Sequence, residues 1–317
     1  MRFSVTILGS NSALPTSHRN PTAQLLNVAE RFFLFDCGEG TQVQLRKNRI
    51  KFTKINHIFI SHLHGDHCFG LIGLISTLGL LNRTQPLFIH AHCDLELLLR
   101  PQLDYFCVDL PYEVIFISVS PNSKEIVFED DVVKISSFPL EHRVPTVGFL
   151  VEEKRGDKII LNSALKAYRI PVKDIPVIKS GKDWINFDGE TISNHLLTEK
   201  DRPLRSYAFC SDTLYLDYLS NYIKGISLLY HESTFAHDLV DVAIRTTHST
   251  ALQAAKAAKD IGAHALAIGH FSSRYKSVEP LVVEATQGFS NTYEAKEGRT
   301  FFINNTPEIS ILIEDIS

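Results

Sequence analysis

Ile58-Phe59-Ile60-Ser61-His62-Leu63-His64-Gly65-Asp66-His67 joins a short apolar strand directly to four side chains able to hold a metal. His62 and His64 are two residues apart, so in extended backbone they point the same way. Gly65 lets the chain turn back, after which Asp66 and His67 can face a second ion beside the first. Imidazole and carboxylate without thiolate suit a hydrolytic zinc site with open coordination positions. The chain has 14 histidines, and isolated ones such as His90, His92, His195 and His264 read as structural or surface residues. An H-x-H-x-D-H run at a strand end is a different kind of pattern.

Two adjacent ions need more ligands than this run supplies. Further candidates stand just past other apolar runs, where buried scaffold gives way to a cleft. His142 lies in Pro139-Leu140-Glu141-His142, after the extended run ending at Phe138. Asp212 lies in Cys210-Ser211-Asp212-Thr213, after Tyr207 to Cys210, and His270 in Ile268-Gly269-His270-Phe271, after Ala265 to Ile268. Taken singly, Asp212 serves equally well as a turn residue and His142 as a surface residue. Beside the first cluster, a ligand role accounts for them together.

The 317 residues are 44% hydrophobic and 21% charged, the proportions of a globular protein with a sizeable core. Cys37, Cys68, Cys93, Cys107 and Cys210 form no C-x-x-C pair, and their number is odd. That argues against a disulfide framework and a thiolate ribbon, and points to a reducing compartment. The opening Met1 to Ser10 reads as a first strand and not a signal peptide. The longest apolar run, Phe69 to Leu81, is too short to cross a bilayer and reads as a buried helix. The net charge is −4, but Lys154 to Lys182 sets Lys154, Arg155, Lys158, Lys166, Arg169, Lys173, Lys179 and Lys182 against Asp157 and Asp174. That stretch carries +6 and leaves −10 on the rest. Charge alone makes it a solvated insertion, although a nucleic-acid enzyme also needs such a local basic surface.

Strands are expected at Phe3 to Leu8, Phe32 to Phe35 and Ile58 to Ile60, with a helix at Thr41 to Lys47. Strand at Leu87 to His90 and helix at Asp94 to Arg100 follow, then extended runs at Val114 to Val119, Ile126 to Phe128, Val132 to Phe138 and Val147 to Val151. Beyond the basic stretch come strands at Tyr207 to Cys210, Ser227 to Tyr230, Ala265 to Ile268 and Thr300 to Ile303. They alternate with helices at Leu216 to Ile223, Thr250 to Asp260 and Val278 to Ala285. Two β-rich halves that each supply helices predict two packed sheets with helices outside. Ile309 to Ile313 is able to add an edge strand.

Five segments, in order, resemble the tRNase Z family of the metallo-β-lactamase superfamily. They are Asp36-Cys-Gly-Glu-Gly-Thr-Gln42, Ser61-His-Leu-His-Gly-Asp-His67, His231-Glu-Ser-Thr-Phe235, His248-Ser-Thr250 and Gly269-His-Phe-Ser-Ser-Arg-Tyr275. The resemblance runs from about Phe3 to about Ile303. It implies an α/β chain with the metallo-β-lactamase fold, an αββα sandwich of two mixed sheets. Residues 1–305 would form the catalytic domain, with a basic arm inserted at about 154–190 and a C-terminal tail at 306–317. It implies two Zn²⁺ per subunit, with Mn²⁺ or another divalent ion as substitutes. His62, His64 and His142 would hold one ion, Asp66, His67 and His270 the other, and Asp212 would bridge them. Asp66 would be the general base on the attacking water. The products would be a tRNA with a 3′-hydroxyl and a trailer with a 5′-phosphate.

His248 precedes Ser249 and Thr250, either of which can cap the next helix, and a helix N-terminus is a seat for phosphate. The resemblance has His248 stabilise the transition state or protonate the leaving oxygen, with Glu232 orienting it and raising its pKa. On residue type alone the pair reads as ordinary cap and core-edge groups. Arg274 looks like a phosphate contact, against a plain surface arginine. Asp36 reads as structural, binding backbone donors of its turn and supporting the metal loop. The family also implies precursor tRNA as partner, a cytoplasmic homodimer in which one subunit's arm serves tRNA at the other, and no membrane.

The sequence departs from the family in places. The Gly-Pro-rich segment of long arms is missing from Arg169 to Lys179, Ser233 stands where alanine is commoner, and Arg19-Asn20 matches a loop near the cleft only in part. Two other classes compete: a phosphodiesterase or small-ester hydrolase of the same fold acting on a non-tRNA substrate, and a binding protein that has lost catalysis. The long cationic stretch favours the first reading over the second, and the full ligand set disfavours the third.

Overall fold

The computed structural model describes residues 1–315; the last two residues of the expected tail lie outside the described residues. In chain order the strands are β1 (Phe3–Gly9), β2 (Ala23–Val28), β3 (Arg31–Phe35), β4 (Ile55–Phe59), β5 (Leu87–Ala91), β6 (Val114–Ser118), β7 (Glu125–Glu129), β8 (Val133–Leu140) and β9 (Thr146–Glu153). They continue as β10 (Trp184–Ile185), β11 (Thr191–Ile192), β12 (Ser206–Cys210), β13 (Leu228–Glu232), β14 (Ala265–Gly269), β15 (Thr292–Glu294), β16 (Arg299–Asn305) and β17 (Ile309–Asp315). The helices are α1 (Thr41–Lys47), α2 (Gly65–Cys68), α3 (Leu71–Leu80), α4 (Asp94–Phe106), α5 (Asn162–Ala167), α6 (Ile175–Lys179), α7 (Asn194–Leu197), α8 (Val240–Thr246), α9 (Ala251–Asp260) and α10 (Glu279–Gly288).

Two mixed sheets carry the fold. One has eight strands in the order β17-β16-β1-β2-β3-β4-β5-β6, and the other seven in the order β15-β14-β13-β12-β9-β8-β7. Within the first, β3 to β6 run parallel, and within the second β12 to β15 do. The C-terminal ends of each parallel set therefore open on one edge of its sheet, where buried apolar backbone gives way to loops.

Phe33, Phe35, Phe59, Phe149, Tyr207, Phe209 and Tyr230 fill the space between the sheets. Phe35 stacks on Phe59 at 5.2 Å, and Phe209 on Tyr230 at 5.1 Å. The outer face of the first sheet is closed by Leu71, Leu74, Ile75 and Leu78 of α3 and Leu95, Leu99 and Leu103 of α4. Alanines 254, 255 and 258 of α9, with Leu281 and Ala285 of α10, close the second. Burying each such leucine contributes about 1.5–3 kcal/mol, so the four layers hold together mainly through apolar area.

Two expected helices need correction. Phe69 to Leu81 is not wholly buried: α3 begins at Leu71, its Leu71, Leu74, Ile75 and Leu78 face the sheet, and Phe69 and Leu80 are 70% and 81% exposed. Leu216 to Ile223 makes only a 3-10 turn at Leu219–Asn221, although Leu216, Leu219 and Ile223 are buried. Its apolar spacing anchors a loop against the second sheet and not a regular helix. Thr250 caps α9 in a full capping box with Gln253.

The basic stretch folds into a small satellite unit. α5, α6, α7 and the β10–β11 hairpin enclose Ala164, Ile170, Ile178, Trp184 and Leu197. Trp184 donates to Asp174 at 2.9 Å, and the Asn194 amide donates to the carbonyls of Ile178 and Lys182 at 2.7 and 2.8 Å. The unit leaves the sandwich after β9 and rejoins it before β12. Arg205 secures that root, donating to Glu153 at 2.8 Å and to the Met1 carbonyl at 2.8 Å. The root thus sits at the start of β12, the sheet edge opposite the one where β12 to β14 end.

Candidate metal centre

The centre is assembled at strand ends. β4 stops at Phe59, and the Ser61 amide then donates to Asp36 Oδ1 at 2.7 Å while its hydroxyl donates to Oδ2 at 2.9 Å. Asp36 has a left-handed backbone (φ 55), which turns its carboxylate back under the loop. The same carboxylate accepts from His67 Nδ1 at 2.6 Å. That fixes the ring so that Nε2 faces Asp66 Oδ2 at 3.2 Å and Asp212 Oδ1 at 3.5 Å.

His62, His64 and His142 meet on the other side of Asp212. His64 Nδ1 lies 3.0 Å from His62 Nε2 and 3.3 Å from His142 Nε2. Asp212 Oδ2 stands 3.6 Å from His62 Nε2 and 3.7 Å from His142 Nε2. His142 Nδ1 donates to the Thr247 carbonyl at 2.8 Å, which leaves the Nε2 lone pair turned inward. His270, also left-handed (φ 58), places Nε2 3.1 Å from Asp212 Oδ1 and 3.4 Å from Asp66 Oδ2. The structure therefore brings all seven expected ligands together. The potential ligand atoms of His62, His64, His142 and Asp212 lie within 4.8 Å of one another, as do those of Asp66, His67 and His270.

This donor set fits a pair of divalent cations. Buried His67 Nε2 has no hydrogen-bond partner, although it points at two carboxylates. Burial lowers the pKa of His62, His64 and His142, keeping them as neutral lone-pair donors. Burial opposes ionisation of Asp66 and Asp212, but the surrounding histidines win and hold both well below the usual carboxylate range. Burial likewise opposes charge on His67, yet Asp212, Asp66 and Asp36 raise its pKa well above the ordinary value. Three buried carboxylates around one imidazole leave negative charge that a cation balances. Nitrogen and oxygen ligands without thiolate match a hydrolytic site.

Glu232, fully buried at the end of β13, is held by donors on both oxygens. Oε1 accepts from the Thr213 amide and from His248 Nδ1, each at 2.8 Å, and Oε2 accepts from Thr234 Oγ1 at 2.5 Å. Burial lowers the His248 pKa, but the adjoining Glu232 and then Asp212 carboxylates outweigh it and raise it to about 9. His248 sits 4.0 Å from Asp212 Oδ2, beside the paired cluster. Arg274 is exposed at the rim, its guanidinium 4.8 Å above the Phe235 ring.

A cleft of about 550 Å³ opens over these groups, lined among others by His64, Asp66, Phe69, Arg143, Asp212, Phe235, His248 and His270. The arm's cations lie elsewhere. Lys154 pairs with Glu129, and Arg155 and Lys158 pair with Asp201. Lys166, Arg169, Lys173, Lys179 and Lys182 are exposed on the satellite unit. Sequence reading did not single out Thr234, Thr247, Phe69 or Arg143. The first two act through a hydroxyl or a carbonyl, which no residue pattern announces. Arg143 adjoins His142, and Phe69 follows His67 by two positions, so proximity to the ligands was the available clue.

A two-sheet sandwich with a histidine–carboxylate pocket at its strand ends defines a metal-dependent hydrolase of the metallo-β-lactamase fold. The metallo-β-lactamase fold protein YhfI from Bacillus subtilis shares that architecture, with a TM-score of 0.66 at 18% identity over 95% of this chain and 100% of that one. Human tRNase Z, short form, superposes with a TM-score of 0.69 at 26% identity, covering 94% of this chain and 98% of that one. A family profile described as anti-Pycsar protein Apyc1 matches residues 3–156. Ribonuclease Z of Phocaeicola vulgatus is 48% identical over 93% of this chain and 96% of its own length. The chain belongs to the ribonuclease Z family.

Proposed function

We propose that this chain is an endoribonuclease that removes the 3′ trailer from precursor tRNA and leaves a 3′-hydroxyl on the tRNA. The observation that carries the reading is the paired His/Asp cluster with His248 held against Glu232 beside it, at the floor of an open cleft. The match to ribonuclease Z over nearly the whole chain supports it.

His62, His64 and His142 would hold one zinc ion, Asp66, His67 and His270 a second, with Asp212 between them. Such a pair, when bound, lowers the pKa of a water and neutralises charge on a phosphodiester. Asp66, ionised and close to both His67 and His270, takes the proton from the attacking water. His248, whose pKa the Glu232 carboxylate raises against the downward push of burial, stabilises the departing oxygen's charge and gives it a proton. Glu232 holds that ring in place and keeps it charged. Arg274 at the rim contacts a flanking phosphate.

The arm supplies the sequence-independent part of binding, through Lys166, Arg169, Lys173, Lys179 and Lys182. Its root lies a strand's length, about 17 Å, from the centre, on the far edge of the sheet. A homodimer resolves that separation, because one subunit's arm then meets tRNA seated at the other's centre. Leu80, Leu97, Tyr105, Phe106 and Val108, each at least 68% exposed on α3, α4 and the loop after it, supply an apolar face for the second copy. All five cysteines are free thiols, in keeping with a reducing cytoplasmic compartment. Among the described residues no helix is long and apolar enough to cross a membrane.

The test is incubation of zinc- or manganese-loaded protein with a precursor tRNA bearing a 3′ trailer, beside bis(p-nitrophenyl) phosphate. Cleavage after the discriminator base is expected, with loss in a folded Asp66→Ala variant. Hydrolysis of the small diester alone would instead mark a non-tRNA phosphodiesterase.

A further inference from the structure

Phe69 occupies an unusual position for a large apolar side chain. It lies two residues past His67, is 70% exposed, and lines the cleft with His64 and Asp66. Its ring is nonetheless held against the metal loop. A Cβ on Gly65 would come 2.3 Å from Cε2 and 2.6 Å from Cζ of Phe69, so only glycine lets the ring lie against that backbone. One side of the ring is thereby fixed on the loop that carries His64 and Asp66, and the rest faces the cleft. The other phenylalanine lining the cleft, Phe235, is buried and already covered by Arg274. Phe69 is thus the free aromatic surface beside the chemistry. Arg143, exposed on the same cleft, adds a cation for a strand lying over that ring.

We propose that Phe69 is the platform on which the base of a nucleotide adjoining the scissile phosphodiester stacks. The inference rests on the nuclease reading above and deepens it. Any base has a π-face, so such a platform seats single-stranded RNA without reading its sequence. It sets the register of the strand, which decides the phosphate presented to Asp66 and His248.

The experiment pairs Phe69→Leu and Phe69→Trp with precursor tRNAs carrying an abasic nucleotide just 5′ or just 3′ of the cleaved bond. Removing the stacked base should lower wild-type kcat/KM by about tenfold at one of the two positions. Phe69→Leu should lose a similar factor on the intact substrate and nothing further on that abasic one. Phe69→Trp, which keeps a ring, should retain the wild-type pattern. Metal content and melting temperature check that each variant is folded. Independent, multiplying losses, or wild-type cleavage by Phe69→Leu, would overturn the platform. If Phe69→Leu fails to fold, equal cleavage of intact and abasic substrates by wild type overturns it as well. Failure of wild type itself on precursor tRNA, with the small diester still hydrolysed, would remove the nuclease reading and the platform with it.

Discussion

His67 Nδ1 and Asp36 Oδ2 stand 2.6 Å apart with both side chains fully sealed from solvent. A carboxylate in that place fixes the imidazole tautomer and strengthens Nε2 as a ligand. Asp36→Asn, which tolerates the left-handed backbone, should weaken metal binding about 10–100-fold. Competition with a chromophoric chelator measures this, and unchanged affinity would reduce Asp36 to a turn residue. Chelation should also lower the wild-type melting temperature, since the buried carboxylates then lose their balancing charge.

The Glu232–His248 pair predicts a pH dependence. A proton donor works below its pKa and fails as pH rises through it, and the adjoining carboxylate sets the His248 pKa at about 9 against the downward push of burial. Bound cations push the value down in wild type and variant alike. Glu232→Gln leaves only the more distant Asp212 carboxylate to oppose burial, so the alkaline limb of kcat should move to lower pH by roughly a unit or more. A limb that stays in place would exclude His248 as the group titrating there.

Replacing Lys166, Arg169, Lys173, Lys179 and Lys182 with glutamine should lower kcat/KM for precursor tRNA relative to the small diester. The slope of log kcat/KM against log salt should shrink by roughly 0.7–0.9 for each phosphate that the arm no longer neutralises. A variant with an unchanged slope would leave the satellite unit as solvated surface.

Leu97→Asp combined with Val108→Asp should make the protein a monomer by light scattering and impair tRNA cleavage more than diester hydrolysis. A mixing experiment tests the arm's action across subunits. Asp66→Ala protein has intact arms, and the five-glutamine variant has intact centres. Exchanged heterodimers should recover tRNA cleavage if an arm serves the partner's centre, and no recovery would place arm and centre in the same subunit's service.

Much of the architecture was legible because parallel, doubly buried strands read as short apolar runs ending at polar residues. Ser206–Cys210 and Ala265–Gly269 are of this kind, as is the Ile58–Phe59 end of Ile55–Phe59, whose Asn56 and His57 are less buried, and the candidate ligands follow them. Ala23–Val28 was less legible, since it is buried along its whole length yet carries Gln24 and Asn27. Leu216, Leu219 and Ile223 have helical spacing but anchor a loop, because packing under the second sheet and not hydrogen bonding fixes them. In the centre, His62, His64, Asp66 and His67 announced themselves by type and spacing, His142, Asp212 and His270 only beside that cluster, and Glu232 and His248 only through the family resemblance. The Thr247 carbonyl and the Thr234 hydroxyl did not, because their roles exist only once α8 and β13 have been brought beside the cluster.

The proposed ligands come from both sheets: His62, His64, Asp66 and His67 from the first, His142, Asp212 and His270 from the second. Neither half can trap a pair of ions alone. A chain emerging from the ribosome therefore stays harmless to the RNA around it until His270 has been synthesised and both halves have closed.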